Sequence, residues 1–291
     1  MTGLPRRPLG GTGVEVPILG LGTGPGGMGL PDDDAVRLYH RAIDLGVTYV
    51  DTAPGYQRAH AQLLRVLADR REEVFLATKA FVATRAALLE TTTKNLAELG
   101  VEQVDLLYIH SLGEQAEADL FGPEGAISGL GELKQRGWAR FVGFTAHNRP
   151  GIAERAIREA PELDVVMLAM NYVDRHVYGF ETRVLPLARK RRLGVAAMKV
   201  FGGAPEMRYD KPVRSAMGSR GEPDHRAALR YALSLPGVSV AVVGVYREEE
   251  LVENVAWARS VEPLGADEWN GLLDRGKRAA PSWGPRYGPL E

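Results

Sequence analysis

The sequence predicts an α/β protein: a closed (β/α)8 TIM barrel of parallel strands with crossover helices, preceded by an N-terminal β-hairpin and carrying long loops at one face. Three observations carry that expectation. Short β-branched runs alternate with amphipathic stretches of helical length from one end of the chain to the other. Six units separate the strand starts Val47 and Ser239, about 32 residues each, the size of a βα repeat. Hydrophobic residues make up 45% and charged residues 25% of 291 residues, which supplies a large core and excludes disordered and fibrous classes.

In chain order, Thr2 to Val14 places the turn-rich Gly10-Gly11-Thr12-Gly13 between short apolar segments and reads as a hairpin plugging the barrel's N-terminal end. Strands are expected at 16–22, 47–51, 74–79, 104–110, 139–145, 165–169, 194–199 and 239–244. Helices are expected at 32–45, 59–69, 84–99, 127–136, 152–160, 181–192, 224–235 and 248–258. Eight such units close a barrel. The segments 111–126, 202–223 and 276–291 exceed ordinary connections; the first two must emerge at the C-terminal face, where barrel enzymes bind substrate. No boundary divides residues 1–291, which read as one barrel domain.

The 36 Lys plus Arg against 37 Asp plus Glu leave a net charge of −1, so no electrostatic drive toward nucleic acid or anionic lipid exists. Val238 to Val245, the longest apolar stretch, is too short to cross a bilayer. The absence of Cys excludes thiolate nucleophiles, disulfides, iron–sulfur clusters and thiolate zinc sites. With no signal segment at the N-terminus, the expectation is a cytoplasmic protein with no membrane or nucleic-acid partner and an oligomeric state left open.

Strand-end residues of a barrel converge on one mouth. Here they are Asp51, Lys79, His110, Thr145 and Lys199: a carboxylate, two ammonium groups, an imidazole and a hydroxyl facing one space. With Asp51-Thr52-Ala53-Pro54-Gly55-Tyr56, the segment Leu99 to His110 and the segment Gly137 to Thr145, the chain resembles the aldo-keto reductase superfamily over essentially its whole length. Ala197 to Gly203 and Tyr231 to Gly237 are similar to a bacterial branch whose members often carry a C-terminal ferredoxin-like domain. Without Cys, this chain lacks that cluster.

The resemblance implies a catalytic tetrad of Asp51, Tyr56, Lys79 and His110, and reduction of an aldehyde or ketone by a nicotinamide cofactor. Tyr56 would donate the proton; a free phenol titrates near about 10, and the Lys79 ammonium, held by Asp51, would stabilise its phenolate. Neutral His110 would orient the carbonyl. The cofactor contacts implied are Gly22 and Thr23 after strand one, Asp51, Thr145, Lys199 and Phe201, and Gly244, Val245, Tyr246, Arg247, Glu250, Glu253 and Asn254 across the last loop and helix. The chain departs from the family at Thr145-Ala146-His147-Asn148, where Ser-Asn is usual, which moves the carboxamide anchor to His147 or Asn148. It also departs at Met167, where Gln is usual, and at Met198, where an aromatic often stacks on the nicotinamide. Family habit implies NADP(H). Gly244 and Glu250 fall where its phosphate-binding Lys and Arg would stand, so Arg247 at a helix start is the replacement, with NAD(H) as the alternative.

Leu112, Phe121, Met207, Tyr209, Trp283 and Tyr287 are candidates to wall a substrate pocket, with Arg208 and Lys211 as receivers of an acidic group. Rival readings are weaker. Gly22-Thr23-Gly24-Pro25-Gly26-Gly27 fits G-x-G-x-x-G, but Pro31-Asp32-Asp33-Asp34 places the expected helix start several residues beyond it. The six histidines form no metal-binding spacing. Lys79 or Lys199 would serve a Schiff-base aldolase, and a nicotinamide-binding regulatory subunit without turnover is the non-enzymatic alternative.

Overall fold

A ring of eight parallel strands encloses a filled interior and carries the helices outside it. The computed structural model describes residues 3–219 and 224–291, so the expected hairpin start at Thr2 and the end of the expected loop at Pro223 lie outside the described residues. The hairpin is β1 (Arg6–Pro8) and β2 (Glu15–Pro17), antiparallel, with Arg7 opposite Val16. The barrel strands are β3 (Leu19–Gly22), β4 (Tyr49–Asp51), β5 (Phe75–Ala80), β6 (Val104–Ile109), β7 (Ala139–Ala146), β8 (Val165–Ala169), β9 (Gly194–Met198) and β10 (Val238–Val243). Each pairs with the next, and β10 pairs with β3 to close the barrel.

Around it lie α1 (Gly24–Gly29), α2 (Asp32–Asp44), α3 (Ala59–Arg70), α4 (Arg85–Leu99), α5 (Glu117–Leu120), α6 (Leu130–Gln135) and α7 (Pro150–Glu159). These are followed by α8 (Phe180–Arg183), α9 (Leu185–Lys190), α10 (Ala216–Ser219), α11 (His225–Ser234), α12 (Glu248–Arg259) and α13 (Ala266–Trp283). Thr84 and Asp224 cap α4 and α11 by accepting the backbone N–H of Ala87 and Ala227.

The interior is a separate apolar cluster in which Tyr49, Phe75, Leu106, Tyr108, Met167 and Val240 meet Leu9 and Val16 of the hairpin. The hairpin therefore plugs the N-terminal end, as expected, and Arg7 pins it by donating to the carbonyls of Leu233 and Val238. Buried Tyr49 and Tyr108 share a hydrogen bond of 2.9 Å between their hydroxyls, which satisfies two polar groups inside an apolar core.

Several expected elements differ. Val16 belongs to the hairpin and not to the first barrel strand, because Pro17 has no N–H to continue a ladder and pairing passes to β10 at Ile18. The helix expected over 181–192 is two, since Pro186 opens α9. The helix expected over 127–136 begins as a 3-10 turn at Ala126–Gly129. Residues 276–283, read as tail, are the last turns of α13. The glycine-rich Gly24–Gly29 does open directly into a helix, α1, contrary to the reason given against a dinucleotide fingerprint. The closed barrel nonetheless excludes the open doubly wound sheet that such a fingerprint belongs to.

Candidate active site

The mouth is built from the ends of β4, β5, β6 and β9. Asp51 is the last residue of β4, and the chain turns at Pro54–Tyr56 into a single 3-10 turn whose Pro54 occupies the first helical position. Gly27 of α1 leans on that turn: a Cβ there would stand 2.2 Å from the Tyr56 carbonyl oxygen, so only glycine allows the approach that fixes Tyr56. Lys79 rises from β5, and its Nζ donates to Asp51 Oδ2 at 2.5 Å, to the Thr52 carbonyl at 2.9 Å and to the Tyr56 hydroxyl at 3.4 Å. All three ammonium protons are thereby satisfied in a side chain that is 1% exposed.

Charge at this point is tightly coupled. Burial disfavours the Lys79 ammonium, but Asp51 and Tyr56 outweigh it and hold the pKa above the ordinary lysine range; burial presses the Asp51 carboxyl upward against the pull of Lys79. His110 follows β6, with its ring edge-on to Tyr56 at 6.1 Å between centroids. Burial, then Lys79 and Lys199, push its pKa down to about 3, so the imidazole is neutral. Gln57, Ser111 and Lys199, each beside one of these groups, hold φ of 52°, 50° and 56° without being glycine. Such strain concentrates where structure serves function.

From Tyr56 a cavity of about 630 Å³ runs across the mouth to the start of α12. Of the residues anticipated as cofactor contacts, Gly22, Asp51, His147, Met167, Met198, Lys199 and Phe201 line it. At its far end so do Gly244, Val245, Tyr246, Arg247, Glu250, Glu253 and Asn254. Lys79 lies behind Asp51 and Tyr56. Thr23, Thr145 and Asn148 are turned elsewhere: Thr23 donates to the Asp51 carbonyl, Thr145 accepts from the Ser111 N–H, and Asn148 donates to the Tyr287 carbonyl at 2.6 Å. Arg247 is ion-paired with Glu250 at 2.6 Å, and the other Glu250 oxygen accepts the Tyr246 N–H at 2.9 Å. Lys199 donates to the Tyr209 hydroxyl at 2.8 Å.

The pocket-wall candidates separate. Tyr209 lines the cavity, and Tyr287 stands 6.1 Å from the His147 ring. Trp283 donates to Asp174 at 2.7 Å, Leu112 is buried in the outer core, and Phe121 packs beneath Arg155. Arg208 is 77% exposed beside Glu206 and does not line the cavity. Sequence reasoning missed Pro25 and Met28 of α1 and the Arg214, Ser215 and His225 group at the cavity's far end. For α1, Pro25, two residues after Thr23 and in the first turn, was a legible helix-start signal. The Ser215–His225 contact of 2.7 Å joins a loop to a helix and has no signal in one dimension.

Among the described residues no group of three or more His, Asp or Glu is placed to hold a metal ion, and no helix is long and apolar enough to cross a membrane. The sequence profile of the Aldo/keto reductase family matches residues 18–272. L-galactose dehydrogenase of Arabidopsis thaliana is 27% identical, the match covering 92% of each chain. Pyridoxal 4-dehydrogenase of Microbacterium luteolum is also 27% identical, over 93% of this chain and 97% of its own. An aldo-keto reductase from Bacillus halodurans, solved in its holo form, superposes with a TM-score of 0.76 over 93% of this chain and 96% of its own. At 22% identity that likeness shows the barrel fold.

Proposed function

The chain belongs to the aldo/keto reductase family and is an oxidoreductase, and from that premise we propose that it interconverts a carbonyl and an alcohol with Tyr56 as the proton donor and acceptor. One observation carries the reading: Tyr56, Lys79 and Asp51 form a connected chain at the head of the cavity, with neutral His110 beside it. The residues fit a nicotinamide dinucleotide. Asp51 Oδ1 is buried without a partner in a cavity-lining side chain, ready to accept from a nucleotide hydroxyl. The far end offers the rings of Phe201 and His225, inclined at 38° with centroids 4.6 Å apart, as a surface for a purine. When bound, the nicotinamide supplies or takes up the hydride. Tyr56 O–H gives its proton to the carbonyl oxygen as the carbon gains hydride, and Lys79 stabilises the phenolate left behind. His110 donates to the same oxygen and orients the carbonyl. Alcohol oxidation runs these steps backwards.

Neither lysine suits a Schiff base, because Lys79 has three acceptors and Lys199 is bonded to Tyr209. For the nucleotide, the NADP(H) expectation rested on family habit, with Arg247 in place of the missing phosphate-binding cations. Glu250 holds that guanidinium and accepts a helix-start N–H where an added phosphate would seek one, and Glu248 and Glu249 add negative charge. We therefore assign NAD(H) as the favoured cofactor. Residues 1–291 work as one unit on small molecules, and the cysteine-free composition suits a reducing cytoplasm. Tyr56→Phe tests the chemistry: turnover on a carbonyl panel falls by about 10²–10⁴-fold while the Kd for NADH, read by fluorescence, stays close to wild type. Near-normal turnover in this variant refutes the mechanism, and wild-type cofactor binding without turnover on any carbonyl favours the regulatory reading.

A further inference from the structure

On the outer face of the barrel wall, behind Lys79, lies a polar cluster that the proton transfer does not use. Side chains alternate along β5: Phe75 and Ala77 join the barrel interior on the side of Lys79, whereas Leu76 and Ala80 face the helices, as does Thr78 between them. The buried Thr78 hydroxyl stands 3.2 Å from Nε2 of His60 on α3. Nδ1 of the same ring is 2.7 Å from a carboxylate oxygen of Glu98 on α4. Asn95, three residues before Glu98, donates to the Lys79 carbonyl at 2.9 Å. Burial lowers the His60 pKa against the pull of Glu98, so the ring is neutral. With Nδ1–H donated to the carboxylate, Nε2 is an acceptor and takes the Thr78 O–H. One buried ring thereby joins α3 to β5 through one nitrogen and α3 to α4 through the other.

The placement matters because of Tyr56. It ends the turn that runs into α3, four residues before His60, with Gln57, Arg58 and Ala59 between them. Gly27 of α1 packs on that connection, where a Cβ would stand 2.2 Å from the Tyr56 carbonyl oxygen and 2.6 Å from the Ala59 Cβ. Gly27 sets the height of the turn over α1, and His60 sets how closely the first turn of α3 approaches β5. Thr78 and Lys79 are adjacent in that strand, so a hydrogen bond behind the wall governs a spacing in front of it. The Tyr56 hydroxyl is 3.4 Å from Lys79 Nζ, the longest of the three contacts of that ammonium. Misplacing a reacting group by about 1 Å costs about 10²-fold in rate, and a contact of 3.4 Å has little room to lengthen.

We propose that His60 is a positioning residue for the Tyr56–Lys79 pair, tying α3 and α4 to β5 so that the phenol stays within reach of the ammonium. The inference rests on the carbonyl–alcohol reading above, in which that pair carries the proton.

The test is the single-turnover oxidation rate of the reduced nicotinamide that wild type binds more tightly, with the fastest substrate of the carbonyl panel at saturation. Wild type, His60→Phe, His60→Gln and Thr78→Val are compared, each with native circular dichroism. His60→Phe and Thr78→Val, which remove the contact from either side, slow the step by about tenfold to a hundredfold. The Kd for the nucleotide and the KM for the carbonyl stay within about twofold. His60→Gln, whose amide reaches Thr78, recovers part of the rate. In a Tyr56→Phe background His60→Phe costs nothing further, because residues that act as a unit are not additive. An unchanged rate in Thr78→Val overturns the inference, even where His60→Phe is slow or fails to fold, and leaves carbonyl chemistry standing. A loss that appears equally in nucleotide binding, in KM or in the Tyr56→Phe background marks a general loosening of the wall and also overturns it. Absence of turnover on every carbonyl, in wild type, overturns the parent reading and this one together.

Discussion

Arg247 and Glu250 stand one helical turn apart at the start of α12, and each changes what the other offers a nucleotide. The Arg247 side chain is 65% exposed and would reach a phosphate if free, but its guanidinium is shared with a carboxylate that also takes the Tyr246 N–H. A second anion there meets Glu250 first. Wild type is accordingly expected to bind NADH more tightly than NADPH. Glu250→Ala releases Arg247 and removes the repulsion, and tightens NADPH by about tenfold, or about 1.4 kcal/mol, while NADH weakens through loss of the carboxylate. Titrations with both nucleotides check this. Tighter NADPH binding in wild type, lost in Arg247→Ala, would return the assignment to NADP(H).

Helix α13 and the turn-containing tail after it close one side of the mouth. Asp174 receives Trp283 Nε1–H, Tyr287 donates to the Gly202 carbonyl at 3.0 Å, and the Tyr178 hydroxyl accepts the Tyr287 N–H at 2.8 Å. The helix lies directly on the barrel at Gly276, where a Cβ would stand 1.9 Å from the Tyr172 carbonyl oxygen. In an ordinary exposed helix, Gly→Ala stabilises by about 1 kcal/mol. Here the sign reverses, because the added methyl lifts the helix from backbone that has no side chain to move aside. Gly276→Ala loses about 2 kcal/mol in urea denaturation, and its turnover falls as Tyr287 leaves the His147 ring. A stabilised Gly276→Ala protein would show that α13 is not seated in this way.

Stability of the whole molecule carries a pH signature set by Glu181, a buried carboxyl on α8 with Tyr231 and Arg175 beside it. Burial raises its pKa to about 8. Below about pH 4.5 the carboxyl is protonated in both states and has no effect. Between there and about pH 8 the unfolded chain has released the proton and the folded one retains it, so the unfolded state binds fewer protons and stability falls as pH rises. Glu181→Gln removes that slope: equal to wild type at pH 4, it is more stable by about 4 kcal/mol at pH 8. Asp174, raised to about 6 by burial, titrates in both proteins, and its charge adds to the rise at Glu181. Urea midpoints across pH 4 to 8 decide it, and parallel curves count against the assignment.

The sequence by itself determined the barrel, the order of its strands, and the identity of Asp51, Tyr56, Lys79 and His110 as neighbours. The barrel and the convergence of Asp51, Lys79 and His110 follow from a period of alternating runs and from strand ends that a closed parallel barrel must bring to one face, whereas Tyr56, in the turn after β4, joined them through the resemblance to aldo-keto reductases. Strand limits were legible to within one or two residues, with Val16 misplaced because the apolar pattern continues through Pro17 while the hydrogen-bond ladder does not. Only the tertiary structure decided that Asn148 and Thr145 face away, that Arg247 is claimed by Glu250, and that α13 brings Tyr287 to His147. These are contacts between side chains up to 139 residues apart or on adjacent turns with free rotamers. A linear pattern encodes which residues share a face, and the direction of a polar side chain on that face is settled by the partner that packing delivers to it.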